Sequence, residues 1–366
     1  MHRDCVLRFI HASDFRLGQV AHGISHVAPE LRQQLLAAPW RSAEACFDQA
    51  IAHNVDFVLL NGDLVANGVE RNRALAFLLD QFVRLADNGI QVYWRVDGRQ
   101  LDAWYECFAW PANVHVLTEQ SALASFSRAG EPLAVIAGGE LELASRQEFT
   151  ISLERSGQNS RIHSADYVAD CGTARSDSVH AGRTVHSPGS PQGLSFQEAG
   201  PHGCSLVELD HNNSVSIGFL QTNAIVWDVR PTTIPVRGEV ERSILDQLTS
   251  SNDDSTHVVR LVLDSADTAT ALRLETMNLK ALRDRLNAGL SGNSRCFVSD
   301  VELGAEMTVA AGAAMSPGCV QDFRELVLSR GEPTVRSLRS QHRLATTSPS
   351  AQLLSESARL GAELLS

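Results

Sequence analysis

The chain has 366 residues, of which 43% are hydrophobic, and its formal net charge is −12. This length and this apolar fraction are enough for one large hydrophobic core and a smaller second domain. The acidic balance argues against a broadly basic nucleic-acid-binding protein, although a local basic patch stays compatible with it. The seven cysteines form no C-x-x-C pair, which favours reduced thiols over a disulfide framework or a zinc site. We expect a cytoplasmic protein with neither a signal peptide nor a membrane-spanning helix.

The first hundred residues alternate apolar runs with segments of helical periodicity. Strands are predicted over residues 6–12, 55–60 and 90–96, and helices over residues 41–53 and 70–88. This β-α-β-α-β order predicts right-handed crossovers and therefore a parallel sheet.

Short strands separated by turns follow, and then a second domain. The further predicted strands are 114–117, 133–137, 149–153, 166–169, 183–186 and 204–209. They fit a second sheet packed on the first, in an α/β fold with four αββα layers. This domain is predicted to span residues 1–230, followed by a small α+β domain over 231–330. A Ser- and Arg-rich tail over 331–366 shows an amphipathic pattern near its end.

An aspartate follows each of the first two predicted strands. Asp14 comes after the run RFIHAS, and Asp63 comes after VLLNG. Either residue alone is explained by a turn or a helix cap. Carboxylates just past the carboxyl ends of parallel strands, however, lie where open α/β sheets bind ligands. The pair therefore predicts a pocket at this edge of the sheet.

The contexts of Asp14 and Asp63 resemble the D-x-H and G-D motifs of the calcineurin-like metallophosphoesterases. The segments Pro188-Gly189-Ser190-Pro191-Gln192 and Gly200-Pro201-His202-Gly203 are similar to turns of the SbcD/YhaO-type DNA-repair exonuclease branch. The resemblance implies metal-dependent DNA phosphodiester hydrolysis, with Asp63 bridging two metals and Asp14 as a terminal ligand. It also implies a DNA-capping role for residues 231–330, an SbcC-type ATPase partner and a homodimer.

Several of the metal motifs depart from the family pattern. Arg16 stands where the first motif has histidine, and Glu154-Arg155 where a later histidine is expected. The G-N-H-D motif is replaced by Asp97-Gly98-Arg99-Gln100, and the last G-H-x-H motif by Cys171-Gly172-Thr173-Ala174. His180 and His186 are nearby, but surface or loop positions are the simpler interpretation of both. The sequence does not favour a two-metal centre.

Three interpretations of this altered site stay open. Arg16, Arg99 and Arg155 cannot ligate a cation but can pair with carboxylates or phosphates, so they are candidate phosphate-binding residues. In that interpretation Arg16 and Arg99 also hold Asp14 and Asp63. Alternatively, the arginines merely neutralise leftover carboxylates in a site without function.

The third interpretation keeps catalysis with a single cation. Asp97, Glu154 and Asp170, together with Asp14 and Asp63, would supply oxygen ligands suited to one magnesium or manganese ion. Arg99 stands where the family has the histidine that protonates the leaving group, so it is the catalytic candidate. The expected function is thus a nominal phosphoesterase with weak or lost activity, or a non-catalytic subunit that binds DNA or an ATPase.

Overall fold

A computed structural model gives the structure of the chain. It describes residues 5–24, 29–66, 68, 70–96, 109–118, 123–138, 148–154, 165–180, 183–235, 239–249, 255–265, 270, 273–274, 276–290 and 295–304. The chain divides into two compact units, Met1–Asp228 with Asp253–Val258, and Val229–Asn252 with Val259–Ser366. The predicted domain limits stay predictions, and the predicted tail over 331–366 lies outside the described residues.

The helices and strands follow one another as an α/β arrangement. In chain order they are β1 (Cys5–Ser13), α1 (Pro29–Ala52), β2 (Phe57–Asn61), α2 (Arg71–Asp87), β3 (Gln91–Arg95), β4 (Val114–Leu117), β5 (Leu123–Arg128), β6 (Glu131–Ala137), β7 (Phe149–Leu153), β8 (Tyr167–Ala169), β9 (Ser176–His180), β10 (Arg183–Ser187), a short 3-10 helix (Phe196–Glu198), β11 (Gly203–Asp210), β12 (Val215–Gln221), β13 (Ile225–Ile234), α3 (Val240–Thr249), β14 (Thr256–Ser265), α4 (Leu279–Gly289) and β15 (Cys296–Leu303). No helix within the described ranges is long and apolar enough to cross a membrane.

Two six-stranded sheets form the first unit. The first sheet has the order β12-β11-β1-β2-β3-β4, and the second has the order β5-β6-β7-β8-β10-β9. Strands β1 to β4 are parallel to one another, as are β6, β7, β8 and β10. The parallel crossovers predicted from the sequence are therefore present in the first sheet.

Side chains alternate along the central strands, so each strand serves two cores. Ile10 and Val58 face α1 and α2, whereas Phe9 and Phe57 face the second sheet. The rings of Phe9 and Phe57 stack at 4.9 Å, and Tyr167 of β8 meets Phe9 edge-on at 5.4 Å. The predicted α/β sandwich with two facing sheets is confirmed. Its fourth, helical layer is not seen among the described residues.

The second unit contains most of the three-stranded sheet β13-β14-β15 and the helices α3 and α4. Its core is formed by apolar side chains such as Ile244, Leu261, Leu286 and Val298. This agrees with the α+β class predicted for the region, while its role as a cap stays a prediction.

A hydrogen-bonded polar network lies between the two sheets of the first unit. His11 of β1 is fully buried, and its Nε2 donates to Asn61 Oδ1 at 3.3 Å. The Tyr167 hydroxyl therefore donates to His11 Nδ1, at 2.9 Å. The rings of His11 and His186 approach to 5.5 Å. Polar groups at this depth are tolerated because they are paired.

The expectation that His186 lies on the surface or in a loop is wrong. His186 is fully buried on β10, where Nδ1 bonds to the Asp177 carboxylate and Nε2 to Ser205 Oγ at 2.8 Å. Both ring nitrogens are satisfied, which is why this histidine can occupy the core. The backbone of His180 lies on β9, and its side chain is outside the described part of the chain.

We predict that the first unit loses stability as the pH falls below about 6.5. The reason is that burial lowers the pKa of both His11 and His186. Repulsion from a charged His186 lowers the pKa of His11 further. The unfolded chain then binds more protons than the folded one, and each histidine costs about 1.4 kcal/mol per pH unit. All five tryptophans precede residue 228, so their fluorescence during urea unfolding reports on this unit.

The slope of unfolding free energy against pH should be smaller for His186→Gln than for the unsubstituted chain. His211→Gln, at an exposed position, is the matched control and should keep the full slope. Equal stability at pH 7.5 and 5.5 would show that the buried imidazoles do not resist protonation.

Candidate functional site

The two predicted aspartates lie side by side at the carboxyl ends of β1 and β2. The strands are paired in parallel, with Ser13 opposite Asn61. The Asp63 amide donates to Asp14 Oδ1 at 3.0 Å, and the Arg16 amide donates to the Asp63 carbonyl at 2.9 Å. Asp14 is nearly buried, whereas the side chain of Asp63 is exposed. The prediction that Asp14 and Asp63 meet at the carboxyl ends of parallel strands is therefore confirmed.

A third contact ties Asp14 to the second sheet. The Gly172 amide, in the loop after β8, donates to Asp14 Oδ2 at 2.8 Å. Each carboxylate oxygen of Asp14 thus accepts a backbone N–H, one from each of two loops. In this geometry Asp14 joins the two sheets at the edge where their strands end.

Gly62 is required beside this carboxylate for two reasons. Its φ is +72°, in the left-handed region that favours glycine. A Cβ at this position would also lie 2.6 Å from Asp14 Oδ1, closer than any real contact. The Gly-Asp motif therefore reflects the need to bring the β2 turn against Asp14.

Asp170 follows β8 and lies close enough to Asp14 for the two charges to interact. Burial raises the pKa of Asp170, its hydrogen bond from the Cys171 amide at 2.8 Å opposes that rise, and the Asp14 charge adds to it. Asn61 connects β2 to the ends of β7 and β8. Its Nδ2 donates to the Ala169 carbonyl at 2.9 Å and to the Glu154 carbonyl at 3.3 Å.

Arg16 is held by a partner distant in sequence. Its guanidinium pairs in a fork with Glu198, Nη1 to Oε1 at 2.8 Å and Nη2 to Oε2 at 2.7 Å. Nη2 also donates to Ser190 Oγ at 3.0 Å and to the Gln192 carbonyl at 2.8 Å. The side chains of Arg16 and Glu198 are 11% and 18% exposed, so the pair is largely shielded from water. Forked pairs of this kind are the strongest that arginine makes.

Glu198 is held in its charged form. Burial alone would raise its pKa, but the hydrogen bonds and charge of Arg16, with the Leu194 amide and His202, outweigh that effect and hold the pKa of Glu198 below its usual value. The prediction that Arg16 holds Asp14 and Asp63 is therefore wrong, since its cation is neutralised by Glu198 and Asp14 is satisfied by backbone amides.

Sequence reasoning missed Glu198 as the partner of Arg16. The run Ser195-Phe-Gln-Glu198 is a capping-box pattern, which predicts a local contact at a helix start. Ser195 Oγ does accept from the Gln197 amide at 3.3 Å. A single sequence contains no signal for a pairing that spans 182 residues.

The described residues do not fit a binuclear metal centre. Among them no group of three or more His, Cys, Asp or Glu side chains could hold a metal ion. Glu154 follows β7 and accepts a hydrogen bond from Ser152 Oγ at 3.4 Å. Both carboxylate oxygens of Asp14 already accept hydrogen bonds from backbone amides. The candidates Asp97, Arg99 and Arg155 lie outside the described residues, so their roles stay predictions.

Comparison with known proteins gives one curated relative. Over 255 residues the chain is 28% identical to "Uncharacterized metallophosphoesterase YhaO" of Bacillus subtilis (strain 168), a match that covers 61% of this chain and 62% of that protein. By sequence the chain is therefore similar to a protein described as a metallophosphoesterase. A divalent metal cofactor is implied for such homologues. The chain matches less than two thirds of the relative, and no family model matches.

Two solved structures are similar to the chain in outline. The protein TT1561 of Thermus thermophilus is 14% identical with a TM-score of 0.34, and the match covers 58% of this chain and 99% of that one. A dimetal phosphatase from Danio rerio is 10% identical with a TM-score of 0.33, and the match covers 57% of this chain and 94% of that one. At these TM-scores neither similarity supports a conclusion about function.

We predict that Gly62→Ala destabilises the first unit by more than Gly89→Ala does. Both glycines have nearly the same φ, +72° and +71°, so both substitutions carry the left-handed cost of about 1–2 kcal/mol. A Cβ at Gly89 meets no atom within 4 Å, whereas one at Gly62 meets the Asp14 carboxylate. Urea unfolding measures the difference, and equal losses would show that Asp14 can move aside freely.

The Arg16–Glu198 pair should show strong coupling in a double-mutant cycle. Arg16→Met leaves a shielded carboxylate unpaired and should cost about 3 kcal/mol, of which adding Glu198→Gln should recover part. We expect a coupling energy of about 1–3 kcal/mol. The exposed pair Arg73–Glu70 is the control and should give less than about 1 kcal/mol. Similar values for both cycles would contradict the structural role given to Arg16.

Proposed function

We propose that this chain is a divergent metallophosphoesterase of the SbcD/YhaO exonuclease type in which the two-metal centre has been lost, so that phosphodiester hydrolysis is weak or absent. The observation that supports it best is the ion pair of Arg16 with Glu198. The resemblance gives position 16 to a metal-binding histidine. A guanidinium has no lone pair for a metal and repels a cation.

The chemistry of two-metal hydrolysis explains why this substitution matters. Such sites hold two cations roughly 3.5–4 Å apart with a bridging carboxylate and further N and O ligands. Here Asp14 and Asp63 are the family carboxylates that remain, and Asp14 already accepts two amide hydrogen bonds. Without bound metal nothing lowers the pKa of an attacking water, so the Asp14 carboxylate acts mainly as a tie between two loops, while the Asp63 side chain is exposed.

An active site with one cation is the alternative that a specific observation favours. Asp170 interacts electrostatically with Asp14, and Asp63 is exposed at the same edge. Carboxylate oxygens suit magnesium or manganese. Because no three described carboxylates are grouped so that they could hold a metal ion, Asp97, which lies outside the described residues, would have to supply a further ligand alongside Glu154.

The partners of this protein are proposals that rest on the resemblance. We propose DNA as the ligand, an SbcC-type ATPase as a protein partner and a homodimer as the assembly. Arg99 and Arg155 are then the foremost phosphate-binding candidates, because Arg16 would have to leave Glu198 before it could bind a phosphate.

We predict that the purified chain, incubated with excess manganese and desalted, retains no manganese pair and hydrolyses bis(4-nitrophenyl) phosphate and linear DNA no faster than Asp63→Asn. The reason is the missing imidazole ligands. Metal content is measured by mass spectrometry and hydrolysis by product release.

Two manganese ions per chain, with a manganese-dependent rate that Asp63→Asn abolishes, would overturn the loss of the two-metal centre. One ion per chain, released by Asp14→Asn and by Asp170→Asn, would instead establish the single-cation alternative. Asp56→Asn changes a carboxylate away from the site, where it pairs with Arg128, and serves as the control.

A further inference from the structure

A cleft of about 330 Å³ opens in the first unit, next to the loop that follows Asp170. Its walls come from residues 173–175, residues 188–190, residues 197–199, residues 201–202 and Phe219 of β12. None of the candidate metal-site carboxylates lines it. An inference about this cleft therefore does not rest on the proposed function.

Hydrogen bonds between the wall segments fix the shape of the cleft. The Ser190 amide donates to the Thr173 carbonyl at 3.2 Å, and Ser187 Oγ donates to the Ala174 carbonyl at 3.3 Å. Gly189 has a φ of +77°, and a Cβ there would lie 2.9 Å from the Arg175 amide nitrogen. Residues 173–175 and 188–190 are thus held at a distance that only glycine permits at position 189. The cleft is therefore preformed.

The charges on the walls favour an anion. Among the described lining residues the ionisable ones are Arg175, Glu198 and His202. Glu198 is neutralised by Arg16, and His202 is fixed by the Ser190 and Glu198 carbonyls, each 2.9 Å from a ring nitrogen. Arg175 is 38% exposed and meets Asp177 at 3.3 Å, a surface pair of small energy. Its guanidinium is therefore available to an incoming oxyanion.

This cation lies over an aromatic ring. The Arg175 guanidinium carbon is 5.2 Å from the centroid of the Phe219 ring. Apolar surface from Ala174, Pro188 and Pro201 continues the wall. Ligand pockets commonly combine such apolar surface with a few polar groups that fix orientation.

We propose that this cleft binds a small molecule consisting of a flat ring that carries an oxyanion, with Arg175, held over Phe219, pairing with the oxyanion and the apolar wall of Ala174, Pro188 and Pro201 packing against the ring. Carboxylate and phosphate both match the guanidinium fork, so the shared chemistry is an aryl oxyanion. The cleft volume accommodates one such molecule.

The test is a titration of the full chain with phenyl phosphate and with benzoate, observed by saturation-transfer NMR and calorimetry. Arg175→Ala should weaken binding of the preferred probe roughly tenfold or more, as loss of a charge-assisted hydrogen bond does. Phe219→Ala removes the ring over which the Arg175 guanidinium lies and should weaken binding severalfold. Inorganic phosphate has the oxyanion without the ring, and benzyl alcohol has the ring without the oxyanion. Both should bind more weakly than the preferred probe.

Arg73→Ala removes an exposed arginine from α2 and should leave binding unchanged. Preference for phenyl phosphate or for benzoate identifies the oxyanion, and either preference supports the proposal. Failure of both probes to bind, or binding that Arg175→Ala and Arg73→Ala affect equally, would overturn it. Since Arg175 is exposed, its variant should keep the unfolding transition of the unsubstituted chain, and that transition is measured alongside.

Discussion

The forked ion pair of Arg16 with Glu198 is the interaction on which the arrangement of this site depends. It joins the loop after β1 to the segment that leads into β11, and Ser190 and Gln192 bond to the same guanidinium. An ion pair with so little access to water is costly to break, because each partner would be left as a shielded, uncompensated charge. The position that the family resemblance gives to a metal ligand is thus occupied by a structural cation.

Asp14 has a structural role in the same part of the site. Asp14 accepts one hydrogen bond from a backbone amide in the turn after β2 and one from an amide in the loop after β8. It therefore links the two sheets at the edge where their parallel strands end. A buried group of polar side chains lies next to Asp14, and its members form hydrogen bonds with one another: His11, Asn61 and Tyr167. An aspartate at this position is therefore needed by the loops for its hydrogen bonds, whether or not it binds a metal.

Apolar runs predicted the buried strands well, because β1, β2 and β7 are buried on both faces. The edge strands β5 and β9 were missed, since LASFSR and SDSVH are mostly exposed and carry no apolar pattern. Helix α1 begins at Pro29 rather than at residue 41, because the pattern before Pro39 was not recognised as helical.

The site was predictable only where local rules apply. The adjacency of Asp14 and Asp63 follows from parallel strands ending at one edge, a rule that needs no tertiary information. The partner of Arg16 and the burial of His186 depend on contacts between distant segments, which one sequence does not specify.

Diffraction from crystals soaked in manganese, recorded at the manganese absorption edge, tests the central claim most directly. We expect electron density in which Arg16 stays paired with Glu198, and no pair of strong anomalous peaks flanking Asp63. Two such peaks bridged by Asp63, with the Arg16 guanidinium displaced from Glu198, would contradict it.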